Sequence, residues 1–285
     1  MIIIDYSGIA ISNIIVQKLD IDEDLIRHMI LNSIRMYNKK FRDKYGDVVI
    51  AVDSSSWRKE VFPEYKFKRK SNRDESTLDW NEAFRIINLV LEEIKENLPY
   101  KVIKVDRCEA DDIIGVLCEN TQEFGKHDDV MIVSADKDFI QLHRYNNIKQ
   151  FSPMTKKLVE HADPVAYLQE HILKGDSSDG VPNILSPDHT FVEGIRQSPM
   201  TQKKITYYLS HLAESPTELM EADEEAYRNY IRNKKMIDLS ETPEELRNQV
   251  IDMFDNTKVA HRSKVLNYLI VKRCKMLIEC AGDFT

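Results

Sequence analysis

Val102-Ile103-Lys104-Val105 and, after three intervening residues, Glu109-Ala110-Asp111-Asp112 decide how this chain is read. An apolar β-branched run followed by a helix start is the joint of a strand–helix unit, and three carboxylates sit on that joint. Like charges packed this closely repel, and a fold tolerates them when something positive neutralises them. Divalent cations, which take hard oxygen ligands, are the best candidates. The same punctuation recurs elsewhere. Ile2-Ile3-Ile4 stops at Asp5, Val48-Val49-Ile50-Ala51-Val52 stops at Asp53, and Val130-Met131-Ile132-Val133 leads into Ser134-Ala135-Asp136-Lys137-Asp138.

Helical patterns separate these strands. Leu25, Ile26, Met29, Ile30, Ile34 and Tyr37 recur at helical spacing behind Asp22, which is placed to cap. Phe84, Ile87, Leu91, Ile94 and Leu98 form a second stripe that ends before Pro99, and Ile113, Ile114 and Leu117 form a third. The alternation predicts an α/β fold, a mostly parallel sheet flanked by helices and joined by right-handed crossovers. In such sheets ligand crevices open past the C-terminal ends of the strands. Asp5, Asp53, the Glu109 cluster and Asp136 all fall there, so a shared metal site explains them better than scattered turns do.

With 285 residues, 42% hydrophobic and 31% charged, the chain can bury a full core. No apolar run approaches the ~20 residues that span a bilayer. Met1-Ile2-Ile3-Ile4-Asp5 lacks the basic region of a signal peptide, so a cytoplasmic location is expected. Cys108, Cys118, Cys274 and Cys280 lack zinc-site spacing and read as reduced thiols. The net charge of −8 speaks against a nucleic-acid binder unless acids and bases are segregated. Trp57 to Arg73 supplies that segregation. It holds Arg58, Lys59, Lys66, Lys68, Arg69, Lys70 and Arg73 against Glu60 and Glu64, with Trp57, Phe62, Tyr65 and Phe67 interleaved. Basic groups neutralise phosphates and aromatic faces stack on bases, which suits single strands. On charge alone a solvated loop accounts for the stretch equally well.

Gly175-Asp176-Ser177-Ser178-Asp179 places two acids three apart, facing one way if the segment is helical and forming a capped turn if it is not. Thr242-Pro243-Glu244-Glu245 reads as a helix start with Thr242 at the cap, and Val265, Leu266, Leu269 and Ile270 as a closing helix. The eight histidines are scattered and read as surface or core residues. The expected division is an α/β domain over 1–180, with a basic region at about 57–76, and a helical region over 181–285 packed on it.

Taken in order, Asp5, Asp53, Tyr65-Lys66-x-x-Arg69, Glu109-Ala110-Asp111-Asp112, Asp136-x-Asp138 and Gly175-Asp176-x-x-Asp179 resemble the flap endonuclease (5′-nuclease) superfamily. Within it the chain is most similar to the ribonuclease H type of T-even bacteriophages. The resemblance implies a PIN-like 5′-nuclease fold with a helical arch and a helix–turn–helix DNA-binding element. It implies a Mg²⁺-dependent hydrolase with 5′–3′ exonuclease, flap endonuclease and ribonuclease H activity, removing RNA primers and 5′ flaps in phage DNA replication.

By that resemblance Asp5, Asp53, Asp111 and Asp136 hold a first Mg²⁺ with Glu109 beside it, and Asp112, Asp138, Asp176 and Asp179 define a second, with Mn²⁺ able to substitute. Two ions ~4 Å apart activate the attacking water and stabilise the leaving oxygen. The basic stretch corresponds to the arch: Arg58, Tyr65, Lys66, Lys68, Arg69, Lys70 and Arg73 face nucleic acid, and Lys66 and Arg69 reach the scissile phosphate. Leu173 to Asn183 resembles the first part of the helix–turn–helix, which often holds a monovalent cation. After Gly180-Val181-Pro182 the family continues into a second glycine-containing turn and a lysine, whereas this chain reads Asn183-Ile184-Leu185-Ser186-Pro187-Asp188-His189-Thr190. That departure leaves the monovalent cation open and shifts the phosphate contacts to Lys203 and Lys204. The implied partners of this monomer are DNA with a 5′ flap or fork, RNA–DNA hybrid and a single-stranded-DNA-binding protein. The alternatives are a PIN-domain ribonuclease, which would lack the basic stretch, and a non-cleaving DNA-binding paralogue, which would have lost acids.

Overall fold

A computed structural model describes residues 1–17, 21–69, 73, 75–123, 126–214 and 216–285. Lys70 of the basic stretch lies outside the described residues. Six strands form one sheet: β1 (Ile2–Asp5), β2 (Val48–Ala51), β3 (Lys101–Ile103), β4 (Val130–Val133), β5 (Ile148–Ser152) and β6 (Lys157–Val159). Their order is β3-β2-β1-β4-β5-β6, parallel throughout except for β6, which runs antiparallel to β5. The continuous apolar runs of β1, β2 and β4 are those of strands covered on both faces. From β1 the chain builds outward to β2 and β3, then returns to lay β4 on the other side of β1. That reversal opens a crevice at the carboxyl ends of β1 and β4.

Two long helices, α2 (Glu23–Tyr45) and α4 (Trp80–Asn97), cover one face, setting Ile26, Ile30, Ile34, Ile87 and Leu91 against Ile2, Ile4 and Ile50. Both begin at aspartate caps, of which Asp22 was expected. Asp22 accepts from the Leu25 N–H at 2.7 Å, and Asp79 accepts from the N–H groups of Asn81 and Glu82, each at 3.1 Å. On the opposite face α5 (Ala110–Asn120) packs Ile113, Ile114 and Leu117 on Ile3, Val49 and Ile132. The chain then adds α6 (Pro164–Lys174), α7 (Gln202–Glu214) and α9 (Glu224–Ile237), with the short α8 (Pro216–Ala222) between the last two.

Residues from Leu239 onward return to the sheet and straddle it. Leu246 and Val250 of α10 (Glu244–Asn256) join the core beneath α5, while Val265, Tyr268 and Leu269 of α11 (Lys264–Val271) and Phe284 join the core beneath α2 and α4. The Tyr100 hydroxyl donates to the Phe284 carbonyl at 2.9 Å.

Two local expectations change. Thr242 does not cap α10, because its hydroxyl donates to the Asp112 carboxylate at 3.0 Å and Pro243 takes the cap position. Of the four apolar residues read in the closing helix, Val265 and Leu269 face inward beside Tyr268, whereas Leu266 and Ile270, at 48% and 53% exposure, share the outer edge four residues apart. All four cysteines are free. Among the described residues, no helix is long and apolar enough to cross a membrane.

Candidate active site

Asp5 ends β1, and the following helix, α1′s Tyr6–Gln17, starts on it. The Gly8 N–H donates to Asp5 Oδ1 at 2.9 Å, and a Cβ on Gly8 would stand 2.5 Å from Oδ2, so glycine lets the carboxylate lie on the helix start. Ser134, just past β4, donates its hydroxyl to Asp5 Oδ2 at 3.0 Å and stitches the two strand ends together. Asp53 accepts the Ala110 N–H at 2.8 Å, which fixes the start of α5. Asp136 accepts the Asp138 N–H at 2.9 Å and caps a 3₁₀ helix over Lys137–Arg144. The peptide carbonyl of Asp136 is held in turn by the buried Gln150 amide of β5, at 2.6 Å. Asp111 sits in the first turn of α5 and feels the charges of Asp136, Asp5 and Asp138.

The electrostatics record this crowding. Burial, then the neighbouring charges of Asp53 and Asp136, push Asp5 up to about 6 against the hydrogen bonds from Gly8 and Ser134. Burial and the charge of Asp136 push Asp138 up to about 7, with His171 opposing. Burial and repulsion from Asp136 and Asp5 hold Asp111 well above the usual carboxylate range, although Lys66 pulls the other way. Crowded acids of this kind fit a divalent cation, which takes oxygen ligands and removes the repulsion.

Glu109 and Asp112 serve differently. Glu109 Oε2 accepts from Ser56 Oγ at 2.8 Å, Tyr65 OH at 3.0 Å and Arg58 Nη1 at 3.2 Å, while Oε1 pairs with the Lys66 ammonium. Although burial raises it, Lys66 and Arg58 hold Glu109 at about 2. Asp112 is fully buried and accepts from Arg58 Nη1 at 2.8 Å, Trp57 Nε1 at 3.2 Å, Thr242 Oγ1 at 3.0 Å and the Glu109 N–H at 2.9 Å. Its oxygens are fully engaged, so the expectation that Asp112 serves the second metal is corrected: it anchors Arg58.

Arg58 is corrected with it. Only 2% exposed, it donates Nε to the Met236 carbonyl at 2.8 Å and cannot reach nucleic acid. The interleaved aromatics are likewise core residues, since Trp57, Phe62 and Tyr65 are buried and only Phe67 is exposed. A short helix over Arg58–Val61 points them inward.

Two of the remaining basic residues, Lys66 and Arg69, meet the Gly175-to-Asp179 turn. Lys66 adopts a left-handed backbone, φ 57°, and its N–H donates to the Asp179 carbonyl at 2.7 Å. Its ammonium stands 3.4 Å from Asp179 Oδ2, Arg69 Nη2 donates to Asp179 Oδ1 at 2.7 Å, and the Tyr65 hydroxyl, whose one proton Glu109 and Asp179 share, lies 3.1 Å from Oδ2. The turn is not helical. Asp176 Oδ1 accepts from the Ser178 N–H at 2.7 Å and its hydroxyl at 2.6 Å, so the two acids diverge, Asp179 toward the basic stretch and Asp176 toward His171. Gly175, φ 69°, makes the turn possible, because a Cβ there would meet the Val181 carbonyl oxygen at 2.4 Å. Lys68 is exposed, and Arg73 lies over the Phe84 ring at 5.6 Å. Lys203 and Lys204 are exposed at the start of α7.

Comparison with known proteins identifies the family. A model of the 5′-3′ exonuclease, N-terminal resolvase-like domain matches residues 3–171, and one described as T4 RNase H, C terminal, matches residues 164–284. Ribonuclease H of enterobacteria phage T4 is 33% identical over 294 residues, covering 99% of this chain and 95% of the relative. The chain belongs to the 5′–3′ exonuclease family of T4 ribonuclease H. The chain is therefore a nuclease by family, and its fold recurs in solved structures at low identity. The T5 D15 flap endonuclease, in a pseudo-enzyme-product complex with DNA and metal ions, aligns with a TM-score of 0.61 at 16% identity, over 89% of this chain and 97% of that one. The T5 5′-exonuclease with bound divalent zinc aligns at 0.60, also at 16% identity, over 90% and 99%.

One residue of the candidate site, His171, is not among those expected from the sequence. Among the described residues, Asp138, His171 and Asp176 are the metal-capable side chains whose donor atoms all lie within 4.8 Å of one another. The available signal was the position of His171, one helical turn before Gly175-Asp176.

The raised acids make a prediction for the metal-free exonuclease. Asp5 and Asp138 have folded-state values above their ordinary 3.8, so their stabilising contribution is complete below that pH and is lost as pH rises through about 6 to 7. Metal-free protein should melt several degrees lower at pH 8 than at pH 5, and Mg²⁺ should restore most of the difference at pH 8 but little at pH 5. Calorimetry checks this; an equal Mg²⁺ response at both pH values would place ion binding elsewhere.

Proposed function

We propose that this chain is a Mg²⁺-dependent 5′-nuclease that removes RNA primers and 5′ flaps during phage DNA replication by a two-metal mechanism. The observation that carries the reading is the gathering of Asp5, Asp111 and Asp136 at the switch between β1 and β4, with Lys66 opposing them. Asp5, Asp53, Asp111 and Asp136 would hold one ion, and Asp138, Asp176 and Asp179 a second, with Mn²⁺ able to replace Mg²⁺. When bound, such ions activate water and stabilise the leaving oxygen.

The chain's own residues bind and orient the substrate. Lys66 and Arg69, which pair with Glu109 and Asp179, stand at the site's edge and can turn to a phosphate. Phe67 and Lys68 offer an exposed ring and charge to a single strand, and Lys203 and Lys204 offer charge to duplex backbone. Residues 181–285 would act as the DNA-binding region of a monomer working in host cytoplasm beside a single-stranded-DNA-binding protein. The non-cleaving alternative is disfavoured because every acid of the set is present.

The test is a product-length assay on 5′-labelled flap, nicked and RNA–DNA hybrid substrates. Mg²⁺-dependent release of short products from the 5′ end is expected. Binding without cleavage would favour the non-cleaving reading.

A further inference from the structure

His171 lies in the last turn of α6, and each of its ring nitrogens faces a different acid. Nδ1 stands 3.6 Å from Asp138 Oδ1, and Nε2 stands 3.6 Å from Asp176 Oδ2. The two acids belong to separate elements, Asp138 to the 3₁₀ helix after β4 and Asp176 to the turn after α6. The imidazole is the piece between them.

The ring is held where it is. Tyr167, one turn earlier on the same helix, packs on it with centroids 5.7 Å apart, and His161 backs Tyr167 at 5.0 Å. Leu168, Ile172 and Leu173 bury the inner face of α6, and the Asn233 amide ties the Ile172 carbonyl to α9 at 2.8 Å. The side chain is itself only 16% exposed. With a carboxylate oxygen 3.6 Å from each ring nitrogen, the imidazole stands between the two acids and spaces them.

We propose that His171 is the positioning residue of the second metal position: by bridging Asp138 and Asp176 it fixes their separation and sets how tightly an ion is held there. This rests on the two-metal reading above. Without the bridge two like charges repel across the gap, and the incoming ion must order them itself. Loss of an outer partner of a metal ligand typically weakens binding by about 10–100-fold.

The experiment counts Mn²⁺ on the metal-free full chain by electron paramagnetic resonance and calorimetric titration, for the wild type, His171→Ala and His171→Gln. Two ions should bind each form, with the weaker one loosened by about 10–100-fold in His171→Ala and the tighter one unchanged. His171→Gln should recover part of the loss, since its amide can still donate to one acid. At low Mn²⁺ kcat should fall in step and recover at high Mn²⁺, with KM for DNA constant. Melting of both variants without metal checks that they fold. Unchanged weak-site affinity in His171→Ala overturns the proposal while leaving the two-metal reading standing. Tighter binding overturns it too, because His171 would then occupy the ion's place. A wild type that binds fewer than two ions brings down the two-metal reading, and this inference with it.

Discussion

Asp111→Asn should slow cleavage by about three orders of magnitude and, without divalent ions at pH 8, raise the melting temperature. The first effect follows from removing one negative oxygen donor from the set that faces the reaction. A thousandfold loss is about 4 kcal/mol of transition-state stabilisation, the scale on which a bound metal acts. The second follows from the repulsion that holds this carboxyl well above its ordinary range, which a neutral amide of the same shape relieves. An active-site change that costs activity and adds stability distinguishes a functional acid from a structural one. Asp112 is the contrast, because its amide would leave the buried Arg58 without its closest charge partner and destabilise the fold. Single-turnover rates and metal-free melting curves decide the matter. A slower Asp111→Asn enzyme that is also less stable would make Asp111 a fold residue.

Lys66→Ala should lower kcat by about 10²–10³-fold, the usual loss when one preorganised positive donor to a developing charge is removed. The scaffold should survive, because Glu109 keeps Arg58, Ser56 and Tyr65, and Asp179 keeps Arg69 and Tyr65. KM for duplex substrate should change little, since Lys66 is one partly covered charge at the edge of the site. Normal single-turnover kinetics in Lys66→Ala would reduce it to a counter-ion for Glu109.

The sheet and the strand-end acids were legible because their signals are local. Two apolar runs ended directly at aspartates, a third led to Asp136 after two small residues, and Asp22 announced the helix it caps. β5 and β6 were not legible. Ile148-Lys149-Gln150-Phe151-Ser152 carries polar side chains, and Gln150 is buried only because Ser134 and Asp136 supply carbonyls for its amide. The misassigned residues share that cause. Arg58 and Lys66 stand eight positions apart in one basic run, yet Arg58 is buried against Asp112 and Met236 while Lys66 edges the site. Charge patterning cannot separate them, because their partners lie up to 178 residues away. His171 gave only half a sign, its spacing from Asp176, because Asp138 is brought to it from another element.

The return of the last segment to the sheet bears on how the protein is born. Ile2 and Ile4 share a core with Phe284, and the Asn38 amide donates to the Asp283 carbonyl at 2.8 Å. A nascent chain on the ribosome cannot close that core until residue 284 has emerged. Asp5 ends the strand that carries Ile2 and Ile4, so the core that Phe284 completes is the one that backs this acid.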